Sequence, residues 1–103
     1  GAAATVDYTP PARSGGLLIV SGTVTTSNVS RHIIDFFKFT QNVDGSDVEL
    51  QQIGAQLVSY TGESGSLTVT ADSPTAGSIR MTFSGQSAGS GANVAAIAIY
   101  LDQ

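Results

Sequence analysis

The sequence predicts an all-β chain, an antiparallel β-sandwich, jelly-roll-like, of about six to eight strands. Three observations carry this. Leu67, Val69 and Ala71 alternate with Ser66, Thr68 and Thr70, and Ile79, Met81 and Phe83 alternate with Ser78, Arg80, Thr82 and Ser84, so each run is apolar on one side and polar on the other. Between them, Ser73-Pro74-Thr75-Ala76-Gly77 carries the Pro and Gly that end strands by removing a donor or by admitting positive φ, which makes the pair a hairpin with one face for a core. From Leu17 to Leu101, strand-like runs follow one another with no convincing helix between them.

Residues 1–16 read as an N-terminal arm or linker and residues 17–103 as a single domain. Thr9-Pro10-Pro11-Ala12 favours extended polyproline geometry, and Arg13-Ser14-Gly15-Gly16 brings little to bury. Leu17-Leu18-Ile19-Val20 is a continuous apolar run passing into Ser21-Gly22-Thr23-Val24-Thr25, the pattern of a strand buried on both faces at its start and half exposed at its end. A turn is expected at Thr26-Ser27-Asn28.

Val29 to Thr40 carries two patterns. Val29, Ile33, Phe36 or Phe37 and Thr40 fit a helical stripe that Ser30 would cap, whereas Ile33-Ile34-Asp35-Phe36-Phe37-Lys38-Phe39 is rich in the β-branched and aromatic residues that favour strands. Read as a strand, it places Ile33, Asp35, Phe37 and Phe39 on one face and His32, Ile34, Phe36 and Lys38 on the other. Asp44-Gly45 marks a tight turn. Val48 and Leu50 are even-numbered while Ile53, Ala55 and Leu57 are odd, so the run from Val48 to Tyr60 changes phase, through a bulge or short turn near Gln51-Gln52. Tyr60 to Gly65 and Gly85 to Gly91 are loops, and Asn93 to Leu101 is a last strand.

Composition excludes several functions. The net charge is −4 and only 12% of the 103 residues are charged, against the clustered positive charge that nucleic acid or an anionic membrane surface requires. There is no Cys, hence no disulfide framework or thiolate metal site, and no apolar run is long enough for a membrane-spanning helix. Gly1-Ala2-Ala3-Ala4 has neither the charged region nor the long apolar region of an intact signal peptide. A surface so poor in charge suits a homo-oligomeric interface, an extracellular or virion setting, or hydrogen bonding to sugars.

Few residues suggest chemistry. His32 is the single histidine, and on one strand Ser30 shares its face while Asp35 points the other way, so a Ser-His-Asp site is incomplete. A histidine at a strand end or subunit contact is the plainer reading. Asp44, Ser46, Asp47 and Glu49 form the densest acidic cluster, but their spacing does not match a helix-loop-helix calcium loop, and turn geometry explains Asp-Gly. Neither metal nor cofactor is expected, nor an enzyme. Loop residues able to meet sugar hydroxyls are Asp44, Asp47, Tyr60, Glu63, Gln86 and Asn93. The doubly apolar strands call for association, with Leu18, Val20, Ile34, Phe36, Ala96 and Ala98 as the expected subunit contacts.

Ile33-Ile34-Asp35-Phe36-Phe37, Ile53-Gly54, Ser64 to Ala71, Ser78 to Gly85 and the close Gly91-Ala92-Asn93-Val94-Ala95-Ala96-Ile97 resemble, in that order, the small C-terminal β-domains of bacteriophage tail fibres and tailspikes. The resemblance covers residues 17–103 and departs from the family in lacking the Trp that often ends the last strand. It implies a homotrimer in the virion tail, outside the cell, that registers three chains, caps the fibre and in some cases touches host surface polysaccharide. The expected function is therefore a non-catalytic trimerisation and capping domain, with a carbohydrate-binding module and a polymerising adhesin or pilin-like subunit as the alternatives.

Overall fold

The computed structural model describes residues 3–25, 30–62 and 65–85 and the backbone of 93–102. Eight strands follow in chain order: β1 (Ala3–Tyr8), β2 (Gly15–Thr25), β3 (Ser30–Gln41), β4 (Val48–Gln52), β5 (Leu57–Val58), β6 (Ser66–Ala71), β7 (Ile79–Ser84) and β8 (Asn93–Asp102). They build two antiparallel sheets. The smaller has the order β1-β7-β6 and the larger β4-β3-β2-β8, with β5 continuing the β4 edge along β3. The chain is thus the all-β sandwich that its alternation predicts. Within it β2, β3 and β4 form a meander in one sheet, where a jelly roll would send successive strands to alternate sheets.

β3 decides the architecture. It is extended from Ser30 to Gln41, pairs β2 on one side and β4 and β5 on the other, and buries its odd-numbered residues from Ile33 to Gln41. Strand preference prevails over the helical stripe because both edges of this segment find ladder partners, and a helix would leave those strands unpaired. The inner layer takes Leu18 and Val20 from β2, Ile33, Phe37 and Phe39 from β3 and Val48 from β4, and packs them on Leu67, Ile79, Met81 and Phe83 of the small sheet. Leu18 and Val20 are therefore core residues with no accessible surface, which corrects their expected place at a subunit contact.

The arm expected over residues 1–16 is also corrected. Ala3 to Tyr8 pair residue for residue with β7, from Ala3 opposite Ser84 to Tyr8 opposite Ile79. Val6 and Tyr8 alternate with Thr5 and Asp7, so the segment has an apolar side to contribute, and the Tyr8 ring meets Phe39 of the other sheet edge-to-face at 6.2 Å. Pro10 is fully buried in the connection that follows.

At one end, polar groups join the sheets. Gln41, only 2% exposed, donates from Nε2 to the carbonyls of Gly77 at 2.8 Å and Pro10 at 3.1 Å. Asp72 Oδ1 accepts from the backbone N–H of Gly77 at 2.8 Å and of Val48 at 3.0 Å, so the turn of the small sheet is tied to the first residue of β4. Gly77 adopts φ +86°, and a Cβ there would overlap the Gly45 carbonyl, so two turns meet at a point only glycine allows.

Candidate functional site: the outer face of the large sheet

The sequence alternates apolar residues onto the inner face of both sheets, but on the large sheet it also places them outside. Register sets Ile19 opposite Phe36 and Ser21 opposite Ile34, with Leu17 opposite Lys38. Leu17, Ile19, Ile34 and Phe36 are all only half-buried on this outer face. In the ladder with β8, Leu17 faces Leu101, Ile19 faces Ile99 and Ser21 faces Ile97, so apolar residue types continue into the fourth strand. Leu17, Ile19, Ile34 and Phe36 each gain roughly 1 kcal/mol if their remaining surface is covered, about half the value of full burial.

The β4–β5 edge extends this face. Between Gln52, paired with Phe37, and Leu57, paired with Ile34, four residues on this edge oppose two on β3, which is where the change of phase in the sequence is resolved. Gly54 takes φ +71° and the Ile53 N–H donates to the Phe36 carbonyl at 2.8 Å, holding the excursion against the sheet. Asp35, 3% exposed, clamps it from the inner side, its carboxylate accepting from Gln52 Nε2 at 2.8 Å, Gln56 Nε2 at 3.0 Å and the Phe36 N–H at 3.1 Å. Two glutamine amides thus satisfy a carboxylate that would otherwise be costly to bury. The result is to leave Ile53 50% and Leu57 57% exposed. Ile53 walls a groove of about 710 Å³ that Gly15, Gly16, Leu17, Lys38 and Thr40 also line.

Ser21 and His32 meet on this same face, Oγ to Nε2 at 2.7 Å, a diagonal pair across β2 and β3 that the sequence reading missed. A hydroxyl beside an imidazole is the start of a nucleophile and its base, but such a pair also needs a group to orient the imidazole and donors for an oxyanion. Among the described residues no carboxylate orients His32, and β2 sits between two ladders that use its backbone N–H groups.

The residues expected to meet a ligand do not converge. Asp44 and Asp47 lie in the β3–β4 turn, whereas Tyr60, 63% exposed, follows β5 at the opposite end of β3, as does Asn93, whose backbone pairs with Thr25. Seven residues of β3 separate Thr40, opposite Glu49, from Ile33, opposite Val58, which sets the two groups about 25 Å apart. Asp44 and Asp47 therefore do not share one site with Tyr60 and Asn93. Glu63 and Gln86 lie outside the described residues. Ala96 and Ala98 pair through their backbones with Gly22 and Val20, and their side chains are likewise outside the described set.

The acidic turn explains itself. Asp44 accepts from the side chain and backbone of Ser46, which holds its carboxyl below the usual range. Asp72 is held low by the Gly77 and Val48 N–H groups, and its neighbouring carboxylate raises that of Asp47. Among the described residues no group of three side chains could hold a metal ion, and no helix is long and apolar enough to cross a membrane.

Among the described residues the fold is an antiparallel sandwich of eight strands, its small sheet polar on the outside and its large sheet carrying apolar residues there from β2 and β3. Comparison with known proteins adds no family: no family model, curated protein or solved structure matches this chain significantly.

Proposed function

We propose that this chain is a non-catalytic assembly module that associates with copies of itself through the outer face of the large sheet. The observation that carries the reading is the half-buried set Leu17, Ile19, Ile34 and Phe36, continued by exposed Ile53 and Leu57, on the side of the sheet that the chain's own core does not use. Continuous apolar surface of this kind is uncommon on a solitary soluble domain and marks an interaction site. The face carries few charges to desolvate, with Lys38 and Glu49 toward one end, so copies can pair without burying unpaired ions. The resemblance to phage tail fibre and tailspike β-domains sets the expected order at three chains and the setting at the virion tail, where contact with host polysaccharide falls to the end loops.

Size-exclusion chromatography with light scattering tests this. A mass of three chains is expected, with Phe36→Lys reduced to one chain while retaining the β-sheet circular dichroism of the parent. A mass of two chains would keep the face and retire the trimer. A parent that is monomeric at micromolar concentration overturns the reading.

A further inference from the structure

We infer that His32 makes this association sensitive to acid, the copies holding together when the imidazole is neutral and separating when it is protonated. The inference rests on the self-association proposed above and adds its regulation. His32 is exposed within the apolar face itself, where it lines a cleft of about 220 Å³ with Ile34, Leu57, Val58 and Ser59. Histidine is the side chain that ordinarily changes charge between about pH 5 and 8.

What surrounds the ring decides the sign. From β2 it meets Ser21, at 2.7 Å, with Thr23 opposite in register; β5 and the turn after it bring Leu57, Val58 and Ser59. Ladder pairing sets Ala95 of β8 beyond Thr23. Ser59 N–H donates to the His32 carbonyl at 3.0 Å, which brings Tyr60, a phenol and not a carboxylate, to this end of β3, while Arg31 is the neighbour of His32 on the opposite face of the strand and Glu63 lies outside the described residues. Asp35 is on the buried side of β3, and Lys38 is six residues along the same face, about 20 Å away. Glu49 shares this face but pairs with Thr40, eight residues along β3 and about 26 Å away, so among the described residues no anion lies beside the ring.

The neutral ring and Ser21 satisfy one another by a single hydrogen bond, which survives protonation with the hydroxyl as acceptor. The added charge is what cannot be accommodated. In a closed assembly every copy brings its own imidazole to the covered face, so protonation asks each chain to desolvate a cation with no partner. Binding is linked to the proton: if association excludes one proton per chain, the association constant falls by up to about tenfold per chain for each pH unit of acidification.

Light scattering and analytical ultracentrifugation at about pH 7.5 and about pH 5.5, with circular dichroism at both to confirm that the sandwich stays folded, test the inference. The parent is expected to assemble at the higher pH and dissociate at the lower, while His32→Gln, which keeps a partner for Ser21 without a charge, assembles equally at both. A parent that fails to assemble at the higher pH overturns the assembly reading itself. Equal assembly of the parent at both values, or a His32→Gln variant with the parent's pH dependence, overturns the role of His32 and leaves the assembly reading standing.

Discussion

The two sheets of this sandwich are built on the same alternation yet turn opposite surfaces to their surroundings. Across the small sheet the outward rows read Ala3-Ser84-Ser66, Thr5-Thr82-Thr68 and Asp7-Arg80-Thr70, each row aligned by register through β1, β7 and β6. Across the large sheet the corresponding rows hold Leu17, Ile19 with Phe36, and Ile34. One apolar face per sheet is enough to make a core, and the small sheet stops there. The second apolar face of the large sheet adds nothing to the monomer's core, which is why the proposed association is assigned to it.

The largest expected effect separates the two faces of β3. Phe39→Ala removes a ring with no accessible surface that packs on Tyr8, and should lower unfolding stability by about 3 to 5 kcal/mol. Phe36→Ser, three residues earlier on the outer side, should lower the stability of the isolated chain by no more than about 1 kcal/mol while abolishing association. Urea unfolding at concentrations low enough to keep the chain monomeric measures both. If Phe36→Ser proves as damaging as Phe39→Ala, the outer face is a structural layer of the monomer and the contrast between the sheets dissolves.

Much of this was legible in the sequence, and the failures have specific causes. The hairpin of β6 and β7, the parity of β3 and the doubly apolar character of β2 follow from period-two alternation, which reports only the local chain. Leu18 and Val20 turn inward, and the sequence carries the signal for it: Ser21, Thr23 and Thr25 continue the odd-numbered series, so the polar side of β2 is odd, and Leu17 and Ile19 belong to it. A four-residue apolar run hides that phase unless it is carried back from the polar end. β1 is hidden in the sequence because Pro10 and Pro11 suggest an extended arm despite the alternation of Thr5, Val6, Asp7 and Tyr8, and because its partner β7 lies some seventy residues away, from Asp7 to Arg80. The meeting of Ser21 with His32 and the clamp of Gln52 and Gln56 on Asp35 depend on cross-strand register, which no local pattern encodes.

A smaller effect tests the polar end that joins the sheets. The Asp72 carboxyl is held low first by the Gly77 N–H and then by that of Val48, so its folded value lies below its unfolded one. Its contribution is therefore complete above the unfolded value and is lost as pH falls through that value toward the folded one. The melting temperature should decline as the solution is taken below about pH 4. Asp72→Asn, which retains an acceptor and tolerates the positive φ of 56°, should flatten that decline. A parent with no loss of melting temperature in acid, or a variant with an identical loss, would remove Asp72 as the electrostatic tie between the sheets.

The smallest effect belongs to the solvated face. Arg80 and Asp7 form a two-pronged ion pair, Nε to Oδ1 at 2.8 Å and Nη2 to Oδ2 at 2.9 Å, with both side chains more than a third exposed. The hydrogen bond from Arg80 holds the Asp7 carboxyl low, and Asp7 in turn raises Arg80. Water and salt screen such a pair, and its geometry serves the register of β1 on β7 more than net stability. Arg80→Gln should leave the melting temperature almost unchanged and the assembled mass unaltered, in contrast to Phe36→Lys on the other sheet. Should Arg80→Gln instead dissociate the assembly, the polar face would be an interface as well, and the division of labour between the sheets would have to be drawn again around the Asp7 and Arg80 row.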